Sequence, residues 1–560
     1  MKNPIKLMKS PLKLIIFTFL SLPVLIPLYS YGATYTFLDK DWDIQGYVRQ
    51  EAGWGLHSET DQTMKSWKLR QAYYTAYLNS ALRWNQNLYF RMINRLAGDW
   101  AYDINHDSAS WKQKGFAGSR DELALDDDFR EVVRELYLNY STDHWNIRIG
   151  KQQVAWGEAD GIRLCDIINP LDISRQAIMR DSDEGYEETR IPLSMIKAEY
   201  FLRKPLGFVT DLGFELVYNP FDFKRPRLYV PDEGDKHVSP WGVRRSSLPL
   251  GDPGVPTEYP ALTPPGGILN DEPARDIGNS QFGMRIKADM GATRATLIFW
   301  RGFHTGYLGV VPPIESRMLV DGNPLTITAF KDYTHRVSSL GFTLSRELYG
   351  AREFFKNTLN WNVANPMFRI ETLYSFDVPY VNRWKPLPPG VYPFGIPQGT
   401  HVPTRLYNLL TTGQFTGEDI ERVNEFKYML GFDWPVRIGL INPQKNIFIS
   451  GQFFHIYLSE GGNDSFQVGP YAKWEVEKNT YLASLLFSTS YLNDKVKPQI
   501  LFVKEFSYNT WWTKPKIKFE IGDHWRPEIG AIIVEGKNRF AGFGQWEDRD
   551  EIYFKLAYQF

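Results

Sequence analysis

Cysteine is almost missing from this chain: Cys165 is the single one in 560 residues. No intramolecular disulfide can form, and a thiolate-built structural zinc site is excluded. A lone thiol in an oxidising compartment is ordinarily buried and inert, so it is given no role. No sign of charge dominates either. Lys and Arg total 64 against 65 Asp and Glu, for a net charge of −1, which gives nucleic acid no reason to be a partner. Beyond the N-terminus no stretch is uniformly apolar over the roughly 20 residues that a membrane helix needs. Catalytic signatures are lacking too. There is no Gly-x-Ser-x-Gly, no His-Glu-x-x-His and no phosphate-binding Gly-rich loop. None of the nine His stands in a nucleophile context. His455 reads as a packed residue of a strand, and His524, near Glu520 and Asp523, as part of a rim charge cluster rather than an acid–base pair. Asp39, Asp41 and Asp43 imitate the start of a calcium loop, but Ile44 and Gln50 occupy the positions that require Gly and Glu. No cofactor and no enzymatic activity are expected.

What is abundant is aromatic: 15% of the residues, including 18 Trp and 31 Tyr. That share is high for a soluble domain. Aromatic girdles around a polar lumen would reconcile it with a mean hydropathy of −0.37. The N-terminus reads as an export signal, with Lys2, Lys6, Lys9 and Lys13 ahead of an apolar run from Leu14 to Leu28. Ser30-Tyr31-Gly32 follows, and cleavage is expected after Gly32. The run is too short for a membrane anchor, and Pro23 and Pro27 interrupt it.

The last nine residues, Ile552 to Phe560, alternate strictly. Ile552, Phe554, Leu556, Tyr558 and Phe560 fall on one face; Tyr553, Lys555, Ala557 and Gln559 fall on the other. Period two is the mark of a strand with one apolar and one polar side. A strand that ends the chain on an aromatic resembles the closing strand of bacterial outer-membrane barrels, in which that aromatic is an assembly signal. The same period recurs from Trp42 to Arg49 and from Trp67 to Leu78. Leu82 to Arg95 repeats it, with Leu82, Trp84, Leu88, Phe90 and Met92 opposite Arg83, Asn85, Asn87, Arg91 and Arg95. Arg83, Arg91 and Arg95 read as pore lining, or else as the solvated face of a soluble sheet. Further candidates continue to the terminal strand, many about 10 residues long, as a tilted membrane strand requires. Turns such as Gly291-Ala292 are tight enough to demand antiparallel neighbours. The expected fold is all-β, a transmembrane antiparallel barrel of 16 to 18 strands over residues 33–560, behind a signal peptide at 1–32. Long loops, some folded into the lumen, would join the strands. The longest, Asn219 to Ser280, is irregular: Pro220 to Gly278 holds 11 prolines.

One stretch is specific. Arg148-Ile149-Gly150-Lys151-Gln152 leads into Trp156-Gly157-Glu158 and then Ile168-Asn169-Pro170-Leu171-Asp172. With a weaker echo at Ser450-Gly451-Gln452-Phe453-Phe454, this resembles the proteobacterial outer-membrane proteins grouped as domain of unknown function thirteen-hundred-and-two. The resemblance implies a barrel passing organic, often hydrophobic, molecules, and it supplies no catalytic residue. From Gln152 to Arg190 nine acids face four arginines, a net of −5. Folded inside a barrel, residues 152–191 would form a constriction with a transverse field, and acidic rings favour cations. The candidate contacts are Trp156, Glu158, Asp160, Arg163, Asp166, Asp172, Arg175 and Arg180. The same side chains could instead pin the loop to the wall by salt bridges.

With no energy-coupling plug and no nucleotide site in view, the sequence points to passive passage of small organic solutes, hydrophobic ones included, through the outer membrane. The expected partners are the lipid bilayer, lipopolysaccharide, the solute and, through Phe560, the barrel-assembly machinery. An outer-membrane hydrolase of protease or phospholipase type, and a non-conducting structural or adhesive barrel, are the alternatives from other classes.

Overall fold

The computed structural model describes residues 33–560 except 38, 57–65, 109–128, 161, 173–186, 227–267, 270–272, 306–313, 318–328, 333, 360–362, 393–397, 462–464, 469–470, 537–541 and 548. The expected signal peptide therefore lies outside the described residues, as do Arg175, Arg180 and most of the proline-rich loop.

Eighteen antiparallel strands close into a barrel. In chain order they are β1 (Lys40–Gly55), β2 (Tyr73–Arg83), β3 (Leu88–Asp99), β4 (Val133–Ser141), β5 (Trp145–Gln152) and β6 (Leu193–Leu202). Then come β7 (Asp211–Asn219), β8 (Gln281–Met290), β9 (Thr293–Phe303), β10 (Arg336–Glu347), β11 (Met367–Asn382) and β12 (Ile420–Val436). The last six are β13 (Ile447–Leu458), β14 (Asn479–Ser488), β15 (Val496–Glu505), β16 (Thr510–Phe519), β17 (Trp525–Gly536) and β18 (Glu551–Gln559). Each pairs with its neighbour in sequence, and β18 closes the ring on β1 from Tyr47 opposite Gln559 to Gly55 opposite Glu551. Closure leaves this sheet without a free edge, the condition for spanning lipid.

The period-two reading sets the two faces. In β18 Tyr553 and Lys555 are buried inside while Phe554 is 42% exposed on the outer wall. Leu136, Ile196, Leu216, Leu297, Leu340 and Leu430 likewise stand on the apolar outside. Inside, charges are paired: Glu215 across strands with Arg285 at 2.6 Å and Lys287 at 3.0 Å, and Glu425 with Lys427, two residues on along the same strand, at 2.6 Å. His455 is packed: it stacks on Tyr481 at 4.4 Å and meets Asn479 at 3.0 Å. His524 contacts the Gln559 carbonyl at 2.7 Å and stacks on Tyr558.

The Leu82–Arg95 segment is not one strand. It folds as the hairpin from β2 to β3, because the Asn85 side chain accepts the backbone N–H groups of Asn87 at 2.9 Å and Leu88 at 2.8 Å and turns the chain. Alternation survives the turn, since Arg83 pairs directly with Tyr89. Sequence pattern alone thus assigns the faces correctly and misplaces the boundary.

Candidate functional site: the segment that crosses the lumen

The described residues of 153–172 leave β5 and cross the barrel interior, and residues 187–191 lead into β6. Their neck is built from two buried amides. Gln152 donates to the Met195 carbonyl at 2.8 Å. The Asn169 oxygen accepts from Val154 N at 2.8 Å while its amide donates to the Ile191 carbonyl at 2.8 Å, tying outgoing and returning chain together.

Beyond the neck, Trp156 is 1% exposed. Its indole N–H donates to Glu215 at 2.8 Å, and its ring meets Trp300 edge-on at 6.2 Å. Gly283 makes the space: a Cβ there would lie 2.5 Å from the Trp156 ring and 2.6 Å from that of Trp300. Val154, Ile162, Leu164 and Ile168 join Trp156 in a cluster with the inward-facing Val217, Ile298, Leu373, Met429 and Phe454. Each such burial contributes roughly 1.5–3 kcal/mol.

At the far wall the chain is gripped by its backbone. Glu371 on β11, fully buried, accepts from Glu158 N at 2.8 Å, Ala159 N at 3.1 Å and Cys165 N at 2.5 Å. Hydrogen bonds to a charged acceptor are each worth about 1.5–3 kcal/mol. Arg369 donates to the Glu158 carbonyl at 2.7 Å and the Asp160 carboxylate at 2.8 Å. Gln452 on β13 donates to that carboxylate at 2.9 Å and accepts from Asp160 N at 3.2 Å. Cys165 is buried against Thr372, and burial, with Glu371 beside it, pushes its thiol well above the ordinary range.

The returning limb is anchored on the first wall. Arg163 donates to the Asn169 carbonyl at 2.7 Å and lies 3.4 Å from Asp166, which also takes Arg190 at 2.7 Å. Asp172 N donates to the Thr189 carbonyl at 2.7 Å. Glu188 receives both Arg49 nitrogens, at 2.8 and 2.7 Å, and the Tyr47 hydroxyl at 2.5 Å. Arg95 and Arg134 donate to the Glu188 and Glu187 carbonyls. Burial alone would raise the Glu188 carboxyl. The charge of Arg49, hydrogen bonds from Arg49 and Tyr47, and the charge of Arg95 outweigh it and hold the group well below the usual carboxylate range.

Of the arginines read as pore lining, Arg83 sits at the short-turn mouth, 68% exposed and 3.4 Å from Asp43. Arg95 is buried against the crossing segment, and Arg91 bonds to Asn79 at 2.9 Å and Tyr137 at 3.3 Å. The structure gathers Trp156, Glu158, Asp160, Arg163, Asp166 and Asp172 along one lumen-crossing strip. Sequence reasoning assigns no role to their partners Glu371, Arg369 and Gln452, or to Arg49, the partner of Glu188. A signal for them exists: Arg369 and Glu371 are charges in the middle of a membrane strand, tolerable only when paired.

A comparison with curated proteins finds no match. Among solved structures, Acinetobacter baumannii OccAB3 is similar at 7% identity over 93% of this chain and 99% of its own, with a TM-score of 0.43. Pseudomonas aeruginosa OccK9 (OpdG) follows at 8% identity, 93% and 97% coverage and a TM-score of 0.42. Salmonella typhi OmpF, in complex with daunomycin, gives 10% identity, 93% and 98% coverage and a TM-score of 0.36. Residues 30–560 match the family described as protein of unknown function (DUF1302), and the chain belongs to that family.

Proposed function

We propose that this protein is an outer-membrane channel for passive passage of small organic solutes, hydrophobic ones included, with residues 152–191 as its constriction. One observation carries the reading: a segment is built into the lumen and held at both walls of an 18-stranded barrel, and porin barrels of about 16–18 strands leave an aqueous channel. In this reading Trp156 and the Glu371-bound turn set the narrowest point, and Glu158 and Asp160 stand where a passing solute touches the loop. Arg163, Asp166 and Asp172 keep the return limb in shape. Export through residues 1–32 and assembly through Phe560 belong to the same proposal. Reconstituted protein should swell liposomes in a panel of sugars, amino acids, organic acids and apolar compounds, and open discrete steps in a planar bilayer. Failure in both assays would favour a non-conducting barrel whose lumen the loops fill.

A further inference from the structure

Among the described residues of the crossing segment, Asp160 is held by Arg369 and Glu188 by Arg49 on the wall, and Asp166 by Arg190 of the segment itself. On the wall beside it, two arginines have no carboxylate within ion-pair distance among the described residues. On the inner face of β2 to β5, Arg91 stands opposite Tyr137 and Arg148 opposite Asn139. Both guanidiniums reach one ring. Arg91 donates to the Tyr137 hydroxyl at 3.3 Å, and the Arg148 guanidinium lies 4.4 Å from the ring centroid. The remaining contact of Arg91 is to the neutral amide of Asn79. Among the described residues neither arginine has an ion pair. The Arg148 Nε and the neighbouring Asn139 carbonyl oxygen are buried without hydrogen-bond partners. Glu135, on the same strand as Tyr137, takes the Gln153 amide at 2.8 Å; its charge acts on both arginines without forming an ion pair to either. Lys197, next to Arg148 across β5 and β6, adds a third cation, itself held by Glu199 at 3.2 Å.

Local backbone geometry maintains this arrangement. Gly150 has a φ of +133°, and a Cβ there would lie 2.3 Å from the Leu136 carbonyl and 2.8 Å from the Tyr137 Cα. Any side chain at 150 would push β5 off β4 and lift Arg148 from the ring. Two half-buried guanidiniums on one tyrosine repel each other and have lost part of their hydration, so a joining anion relieves both costs. A guanidinium fork fits a carboxylate in two-point contact, and a stacked one presents that fork in a fixed plane. Stacked Tyr47 and Tyr77, with centroids 5.0 Å apart on the adjoining wall, offer an apolar face for the rest of the molecule.

We propose that Arg91 and Arg148, set on Tyr137, form a binding subsite for the carboxylate of a small organic acid with a flat apolar body. Arg91 lies one inward position nearer the short turns than Ile93, itself one before the loop anchor Arg95. A solute that has passed the crossing segment meets the subsite next. The proposal rests on the channel reading for its role, though not for its binding chemistry.

The test is calorimetric titration of sodium benzoate into the full-length folded protein in detergent, alongside planar-bilayer recording. The wild type should bind benzoate saturably and the uncharged benzamide at least tenfold more weakly. Arg91→Gln combined with Arg148→Gln should weaken benzoate at least tenfold and shift the reversal potential toward cation preference. Arg148→Lys, which keeps the charge and loses the fork, should fall between. An unboiled gel band migrating like the wild type establishes that each variant is folded. Wild-type protein that does not bind benzoate, equal binding of benzamide, or benzoate affinity unchanged in the double variant overturns the subsite. Absence of current steps with intact benzoate binding overturns the channel reading alone.

Discussion

Glu188 shows how much one side chain can decide. Its carboxylate is stabilised in the fold by Arg49 and Tyr47, so its folded pKa lies below the value of about 4.3 for a free glutamate. A depressed carboxyl contributes stability that is fully present above the unfolded value and is lost as pH falls through the folded one. The return limb should therefore hold at neutral pH and loosen in acid, below about pH 4. Single-channel recordings should show larger or noisier conductance at pH 3 than at pH 7, and Glu188→Gln should give the acid behaviour at pH 7. Identical traces for variant and wild type would remove Glu188 as an anchor. At this scale the sequence is only partly legible. The acid is visible as one of nine between Gln152 and Arg190. Its partners Tyr47 and Arg49 on β1 lie 141 and 139 residues away, and only the folded barrel brings them to it.

Among elements, strands and crossing segment differ in how they are encoded. A strand is written in its own alternation, because one face meets lipid and the other the lumen. That is why the inward positions of β3 and β18 are legible in the alternation itself, at Arg91, Arg95, Tyr553 and Lys555. Where a side chain rather than the period ends a strand, as Asn85 does, the pattern runs on and hides the boundary. The crossing segment has no period at all. Its acid excess and glycines mark it as special, but its position depends on β11. Glu371→Ala should leave the buried Cys165 N–H unsatisfied, at roughly 1–3 kcal/mol, and free the part-buried N–H groups of Glu158 and Ala159 at a lower cost. The turn at 158–165 should then detach while the barrel stays folded. Larger conductance steps and new protease cleavage near 158–165, with unchanged strand content by circular dichroism, are the expected signs. A variant with wild-type conductance would mean that the apolar cluster around Trp156 holds the segment alone.

For the whole molecule, closure is the event on which everything else waits. The chain ends register with its start: Phe560 N and O both bond to Gly46 at 2.9 Å, and a Cβ at 46 would lie 2.9 Å from the Phe560 ring and 2.4 Å from the Tyr77 carbonyl. Gly46→Val should displace the terminal aromatic and weaken the seam of β1 and β18. The check is the fraction of unboiled protein in the compact gel band, which should fall well below wild type; an unchanged fraction would show that the seam closes without that contact. The grip on the crossing segment has a different consequence. Glu371 holds peptide N–H groups, and every residue except proline supplies one. Side chains at Glu158 and Ala159 can therefore change while the path of the segment stays put. In the proposed channel, solute preference and pore geometry would then be separately adjustable, one by substitution on the loop and the other by a single acid on the wall.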